Sequence, residues 1–261
     1  MLQEPSRQRV SRETVFPAEM TEIELSDFSR DLYAVHCQIF SGVSFKSFSS
    51  HVLQPPAEHT QIQIYRDGTG DLIGYCAFHR FVRDLDGDRV IVLRAEAGLL
   101  PQYRGKAIAH WFGMLGALRE KLRHPFTRVI YLCTLVHPSS YRFFCKYFPT
   151  VFPRRGKEMS PEANEIAVAL AESFEDPAVD PSKPLVRDVG WVTKKTLEHP
   201  AFLSDEGIND VHYFELLNPD YRRGHGLVVL VPVTIGNVGQ AILKRTSETL
   251  SGWIRRRPSP L

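Results

Sequence analysis

The chain has 261 residues, a formal net charge of +2, 43% hydrophobic and 24% charged residues, and 16 phenylalanines. That is ordinary for a soluble globular protein with one large domain, or a core with an elaboration, and gives no global ground for nucleic-acid binding. The four cysteines (Cys37, Cys76, Cys133, Cys145) never form CxxC, so they read as reduced core thiols of a cytoplasmic protein rather than a disulfide framework.

Met1 to Pro17 is polar, with Arg7, Arg9 and Arg12 and no apolar run behind them. Residues 1–20 therefore read as a disordered leader, not a signal peptide. Ser26-Asp27 offers a cap and a carboxylate for a helix start. Phe28, Leu32, Val35, Ile39 and Phe40 then recur at helical spacing as far as Gly42. A weaker helical segment, Phe45 to Leu53, stops at Pro55-Pro56. Gln61 to Tyr65 alternates like a half-buried strand, Asp67 to Asp71 is a turn, and Leu72 to Phe81 is the returning strand of a hairpin. Asp84-Leu85-Asp86-Gly87-Asp88 is a second turn. It lacks the Glu that closes a calcium loop, Ala95 standing in that place, so no calcium is expected. Val90 to Leu99 is the third strand.

That strand runs into Pro101-Gln102-Tyr103-Arg104-Gly105-Lys106-Ala107-Ile108. Gly105 and Ala107 are small where backbone must come close to something, and Arg104 and Lys106 add charge. The helix that follows brings unpaired N–H groups and a partial positive charge. Together they make a phosphate-binding device, with too few glycines for a dinucleotide or Walker loop. The helix, Gly105 to Arg123, places Ile108, Trp111, Phe112, Leu115, Leu118 and Leu122 on its apolar face and ends at His124-Pro125. Arg128 to Val136 is apolar on both faces, hence central, and strand–helix–strand makes it parallel to the strand before.

Gln102, Gly105 and Ala107 stand on the fixed positions of the Gln/Arg-x-x-Gly-x-Gly/Ala signature of the GNAT superfamily of N-acyltransferases. Leu99-Leu100-Pro101 resembles the hydrophobic-x-Pro that precedes it. His137 to Pro149 is similar to the family's second signature, with His137 for the usual Asn and Phe144 for the usual Tyr. The resemblance spans Gln61 to Pro149. It implies an α/β (α+β) fold: a mixed, mostly antiparallel sheet with a splayed parallel pair, flanked by helices. A GNAT-like core would occupy 21–153. An extension, 154–261, would complete the sheet and add helices within one compact domain.

The resemblance also implies acetyl-CoA or another acyl-CoA as co-substrate, with no metal. Gln102, Arg104, Gly105, Lys106, Ala107 and Ile108 would hold its pyrophosphate. Leu99 or Leu100 would offer a backbone N–H to the thioester carbonyl, with Gly98 easing a bulge. Glu96, with a pKa raised by partial burial, is the candidate base for the amine, unless Arg94 pairs with it. His137 is the second candidate base, or else the cap of the next helix. Tyr141 or Tyr147 would protonate the leaving thiolate in place of the Tyr that Phe144 replaces, or else solvent would, with no acid used.

Ser160-Pro161-Glu162 opens a helix that continues from Ala163 to Phe174, and the three prolines of Asp176 to Pro184 mark a loop. Leu185 to Thr193 and Leu227 to Val233 read as a closing hairpin around a long insertion. Val238 to Ile254 reads as an amphipathic helix packed on the body, ending in Arg255-Arg256-Arg257. The longest uncharged run, 226–243, is interrupted by Pro232, Thr234, Asn237 and Gln240 and does not read as a transmembrane span. The histidines include no HxxxH or HxH, and no GxSxG elbow is present, so a metal centre or serine triad is unsupported. The expected activity is transfer of an acyl group, acetyl first, from acyl-CoA to an acceptor amine by direct attack in a ternary complex. The alternative donor is a long-chain acyl-CoA or an acyl carrier protein, whose acidity would suit Arg154-Arg155, Arg222-Arg223 and Arg255 to Arg257. The same terminal arginines leave peripheral membrane contact open. From another class, Phe144 admits a CoA-binding module without turnover.

Overall fold

The computed structural model describes residues 10–103, 108–194 and 203–254. Strand β1 (Ser11–Val15) is followed by helix α1 (Glu22–Ile39), β2 (Phe40–Ser41), α2 (Phe45–Phe48) and a π turn over Ser49–Leu53. Three long strands come next: β3 (His59–Arg66), β4 (Leu72–Leu85) and β5 (Asp88–Leu99). Then follow α3 (Ile108–Arg123), β6 (Arg128–Leu135), α4 (Pro138–Tyr147) and α5 (Pro161–Ser173). The chain closes with β7 (Val186–Asp188), β8 (Val192–Thr193), α6 (Asp205–Leu217), β9 (His225–Pro232) and α7 (Ile235–Ile254).

Seven strands form one sheet in the order β1-β3-β4-β5-β6-β9-β7, antiparallel throughout except for β5 and β6. The β4–β5 hairpin turns on Asp86 and Gly87, both at positive φ, as a two-residue loop between right-twisted strands requires. β2 and β8 form a separate two-stranded ladder. One face of the sheet carries α1, whose Leu32, Val35 and Ile39 pack on Ile62, Tyr75 and Ala77. The same face carries α5, whose Ile166 and Leu170 pack on Phe81, Val92 and Leu132. The other face carries α3, α4 and α7, with α6 packed on α4 through Phe214.

Several expectations need correction. Ser11–Val15 pairs with Ile62–Arg66 as an edge strand where a disordered leader was expected; residues 1–9 lie outside the described residues. α1 starts at Thr21, not Ser26, because Thr21 and Glu24 cap each other reciprocally, each accepting from the other's backbone N–H. On α3, Trp111, Phe112 and Leu118 pack against the core as expected, but Leu115 and Leu122 point outward, and Ala109, Met114 and Ala117 are the buried hydrophobic residues of its inner face. Small residues won that face because they let the helix lie close to the sheet. A Cβ at Gly116 would stand 2.9 Å from the Phe78 ring. β7 and β9 do pair as neighbours, but β8 leaves the sheet to join β2. α6 was not foreseen, although Ser204 caps it and Asp205 and Glu206 favour its first turn.

His36, on α1, is buried among Tyr33, Phe40, Phe48 and Trp191, with Nδ1 2.8 Å from the Tyr75 hydroxyl. Burial pushes its pKa down to about 4. The unfolded chain then binds this proton first, so stability falls as the pH drops from 6.5 towards 4, by on the order of 3 kcal/mol across that window. Denaturant midpoints measured at neutral and acid pH should separate accordingly, and His36→Leu should narrow the gap.

Candidate active site

β5 and β6 run side by side only from Val90–Arg128 to Leu93–Tyr131. Beyond that, β5 stays with β4 as far as Gly74–Leu99, and β6 stays with β9 as far as Leu135–Leu227. Each strand is held by its outer neighbour, so the parallel pair splays apart. The β4–β5 register continues unbroken through Gly98, so the splay has no bulge there, contrary to expectation. Gly98 serves close packing instead. A Cβ on it would stand 3.0 Å from side-chain carbons of both Ile39 and Phe40.

The backbone N–H of Leu100 is donated to the Ile73 carbonyl at 2.9 Å, which removes it as the donor for a thioester carbonyl. Antiparallel alternation from that bond turns the N–H groups of Ala95 and Ala97 away from β4 and into the splay. A cavity of about 470 Å³ occupies the gap and reaches both faces of the sheet. Strand alternation puts Cys76, Ala95, Ala97 and Cys133 on its α3–α4 side, joined there by Phe144 and Tyr147. On the α1–α5 side stand Glu96 and Arg94, with Phe40, Asp176, Val189 and Trp191 around them.

Glu96 is 18% exposed at the side chain and its Oε2 lies 2.9 Å from Nε2 of the buried His79. His79 Nδ1 in turn lies 3.0 Å from the Thr60 hydroxyl. The column Thr60–His79–Glu96 therefore runs from β3 across β4 to the cavity wall. Burial raises the Glu96 pKa, but the charge and contact of His79, with help from Arg94 and His51, outweigh it and hold the carboxyl below its ordinary value. The expected upward shift is thus reversed, because the partner that decides it comes from the neighbouring strand. Arg94 pairs elsewhere: its Nη2 is 3.1 Å from Asp176 Oδ2, and its guanidinium lies 4.4 Å over the Phe174 ring. The Thr134 hydroxyl also donates to Asp176 Oδ2, at 3.2 Å. One carboxylate from the extension thus ties β5 to β6 across the splay.

The remaining predicted residues divide. His137 lines the cavity but caps α4, its Nδ1 accepting the Ser139 backbone N–H at 3.2 Å. That bond leaves the Nδ1 lone pair unavailable as a base. Tyr141 is fully buried away from the cavity and donates to the Pro153 carbonyl at 2.9 Å; it is removed as a candidate acid. Tyr147 does line the cavity. Its hydroxyl donates to Glu248 and accepts from Arg245, both at 2.7 Å and both from α7. Leu99 lines the cavity, whereas Gln102 is exposed in a short 3-10 turn. Arg104, Gly105, Lys106 and Ala107, and the side chain of Ile108, lie outside the described residues. His79, Asp176 and Trp191 were missed. His79 was within reach, because counting back from the Asp86-Gly87 turn sets it opposite Arg94 and diagonal to Glu96. Asp176 and Trp191 carried no such signal.

By sequence, no family model and no curated protein matches the chain. By structure it is similar to a ribosomal-protein-alanine N-acetyltransferase from Brucella melitensis, at 16% identity and TM-score 0.35, over 58% of this chain and 96% of that one. It is also similar to a GNAT family N-acetyltransferase from Escherichia coli in complex with CoA, at 18% identity and TM-score 0.35, over 52% and 68% of the two chains. A third similarity is to an acyl-CoA N-acyltransferase from Pseudomonas aeruginosa, at 14% identity and TM-score 0.32, over 53% and 87%. Each of these similarities covers between half and three fifths of this chain. The mostly antiparallel sheet with one parallel, splayed pair and helices on both faces is the architecture expected from the sequence.

Because Tyr141 supports the buried Pro153 carbonyl and not the cavity, Tyr141→Phe should lower stability by about 1–3 kcal/mol. Chemical denaturation will read that loss, and ligand affinity measured on the folded variant should stay unchanged.

Proposed function

We propose that the chain is an acyl-CoA-dependent N-acyltransferase, with acetyl as the first acyl group to test. The observation that carries this reading is the splayed parallel pair, with small side chains on one face and an ionised carboxylate on the other. A pantetheine arm would enter from the α3–α4 face, where Cys76, Ala95, Ala97 and Cys133 leave room and the backbone of Ala95 and Ala97 offers strand-like pairing. Arg104, Gly105, Lys106 and Ala107 would hold the pyrophosphate at the start of the next helix. The acceptor amine would approach from the α1–α5 face.

In the reaction, Glu96 accepts a proton from the amine and the nitrogen lone pair forms the C–N bond. The C–S bond breaks, and Tyr147, turning its O–H away from Glu248, gives the leaving thiolate a proton that solvent replaces. Arg245, 2.7 Å from that hydroxyl, would stabilise the phenolate as it forms. Burial pushes the thiol pKa values of Cys76 and Cys133 up, which disfavours either as a nucleophile and supports direct attack without an acyl-enzyme. Juxtaposing two substrates in one cavity would contribute much of the rate.

The test is free-thiol release from acetyl-CoA and longer acyl-CoAs with a panel of amines, alongside calorimetric CoA binding. Turnover with any of them supports the reading, and Glu96→Gln should then cost about 10²–10⁴ in kcat/KM. CoA binding without turnover would favour a silent binding module, as the phenyl ring of Phe144 in the cavity and the doubly engaged Tyr147 hydroxyl allow. Absence of CoA binding would sink both.

The pH profile gives a second test. The groups that favour ionised Glu96 are His79 on β4, Arg94 on its own strand and His51 on the π turn. In His79→Gln the largest of these is lost, so the Glu96 pKa rises and the acid limb of kcat/KM should move to higher pH. An unmoved limb would assign the base elsewhere.

A further inference from the structure

The α1–α5 half of the cavity has a wall that the GNAT-like core does not supply. Val189, Trp191 and Thr193 line it from the segment around β7 and β8, and Asp176 lines it from the loop before them. This wall is fixed in place. Phe40 pairs with Thr193 and Ser41 with Val192, while the Lys194 backbone N–H is donated to the Ile39 carbonyl at 2.9 Å. Gly42, at positive φ, touches the backbone of Gly190 so closely that any Cβ there would collide with its carbonyl. Trp191 is 8% exposed, with its ring edge-on to His36 at 4.8 Å and tilted against Phe40 at 5.5 Å. Ile39, Phe40, Val136, Val189 and Trp191 pack as one apolar cluster.

Charge on this half is sparse. Among the described residues lining the cavity, Arg142 and Lys146 stand on α4 and Arg245 on α7, which leaves Arg94 as the fixed cation on β5; Asp176 neutralises it at 3.1 Å while Phe174 covers the guanidinium plane. His51 stands at the exposed rim, its Nδ1 bonded to the Ser47 carbonyl. Glu96, whose Oε2 lies 2.9 Å from His79 Nε2, is the carboxylate that no fixed cation claims and the one to meet an incoming ammonium. A ligand with one positive charge and an apolar body matches this half. A carboxylate on the same ligand would meet Glu96 and Asp176 without a cation to receive it, and like charges held together in a desolvated site are costly.

Resting on the acyltransferase reading above, we infer that the acceptor is a small primary amine with an aryl or branched-alkyl body seated on Trp191 and with no carboxylate of its own. The pocket selects by what it lacks as much as by what it offers.

The experiment uses pairs that differ only by a carboxylate: phenethylamine against phenylalanine, and isoamylamine against leucine. Thiol release from acetyl-CoA is measured for each, and amine binding alone is followed by saturation-transfer NMR. The carboxylate-free member of each pair should bind, and react with a kcat/KM higher by on the order of a hundredfold. Trp191→Ala should raise KM about tenfold more for phenethylamine than for methylamine, and Trp191→Phe should restore it. Equal or better use of phenylalanine, or a Trp191→Ala effect alike on both amines, would overturn the inference. Amine binding without any thiol release would support this pocket assignment and count against acyl transfer. Thiol release confined to carboxylated amines would do the reverse.

Discussion

Everything distinctive about this chain follows from how briefly β5 and β6 pair. Four residue pairs, Val90–Arg128 to Leu93–Tyr131, are joined as parallel strands, and then each strand follows the neighbour on its other side. β5 has twelve pairs with β4, and β6 has six with β9. Longer antiparallel ladders outweigh a short parallel one, so the sheet opens at its centre. Backbone groups that a closed sheet would satisfy internally face the gap there. A cavity in the middle of the sheet, edged by backbone polar groups, is the direct result.

Such a gap weakens a sheet, and the extension compensates for it. The Asp176 carboxylate takes bonds from Arg94 on β5 and Thr134 on β6, just past the last parallel pair. Arg187, buried on β7, donates to the Asp176 backbone carbonyl at 3.0 Å and so fixes the loop that carries it. On the other face, α7 places Arg245 and Glu248 on the Tyr147 hydroxyl, and Glu248 also pairs with Lys146 at 2.8 Å. The residues after 153 thus act on both faces of the splay. They supply two strands of the sheet, a bridge across its gap and one wall of the cavity.

Local order was readable wherever short-range physics decided it. The Asp86-Gly87 turn, the Ser160-Pro161 helix start and the run of apolar residues in β6 depend on neighbours a few positions away. Where the deciding partner is distant, reading along the chain misassigns roles. Glu96 reads as a carboxyl raised by burial, yet His79, seventeen positions earlier and brought near by the hairpin, pulls it down. Arg94 reads as a partner for Glu96, two positions on, but Asp176 claims it from the far end of the fold. Tyr141 and Tyr147 look equivalent on one helix, and only packing separates them. Tyr141 faces Pro153 and α6, whereas Tyr147 faces the cavity and α7. On α3 only Leu115 and Leu122 were misjudged, for a related reason: both are apolar at helical spacing, but the sheet takes the side with Gly116, Ala117 and Met114.

By itself, the sequence determined the order of strands and helices through the centre of the chain, the parallel crossover, and Glu96 as a carboxylate near the end of β5. Each rests on spacing and local backbone preference, which one strand or helix settles without help. The tertiary structure decided the ionisation of Glu96, the bridge at Asp176, the choice between two tyrosines and the Trp191 wall. Those depend on pairs of residues far apart in the chain, and what joins them is burial and charge pairing, forces that act through space and leave no period in the sequence.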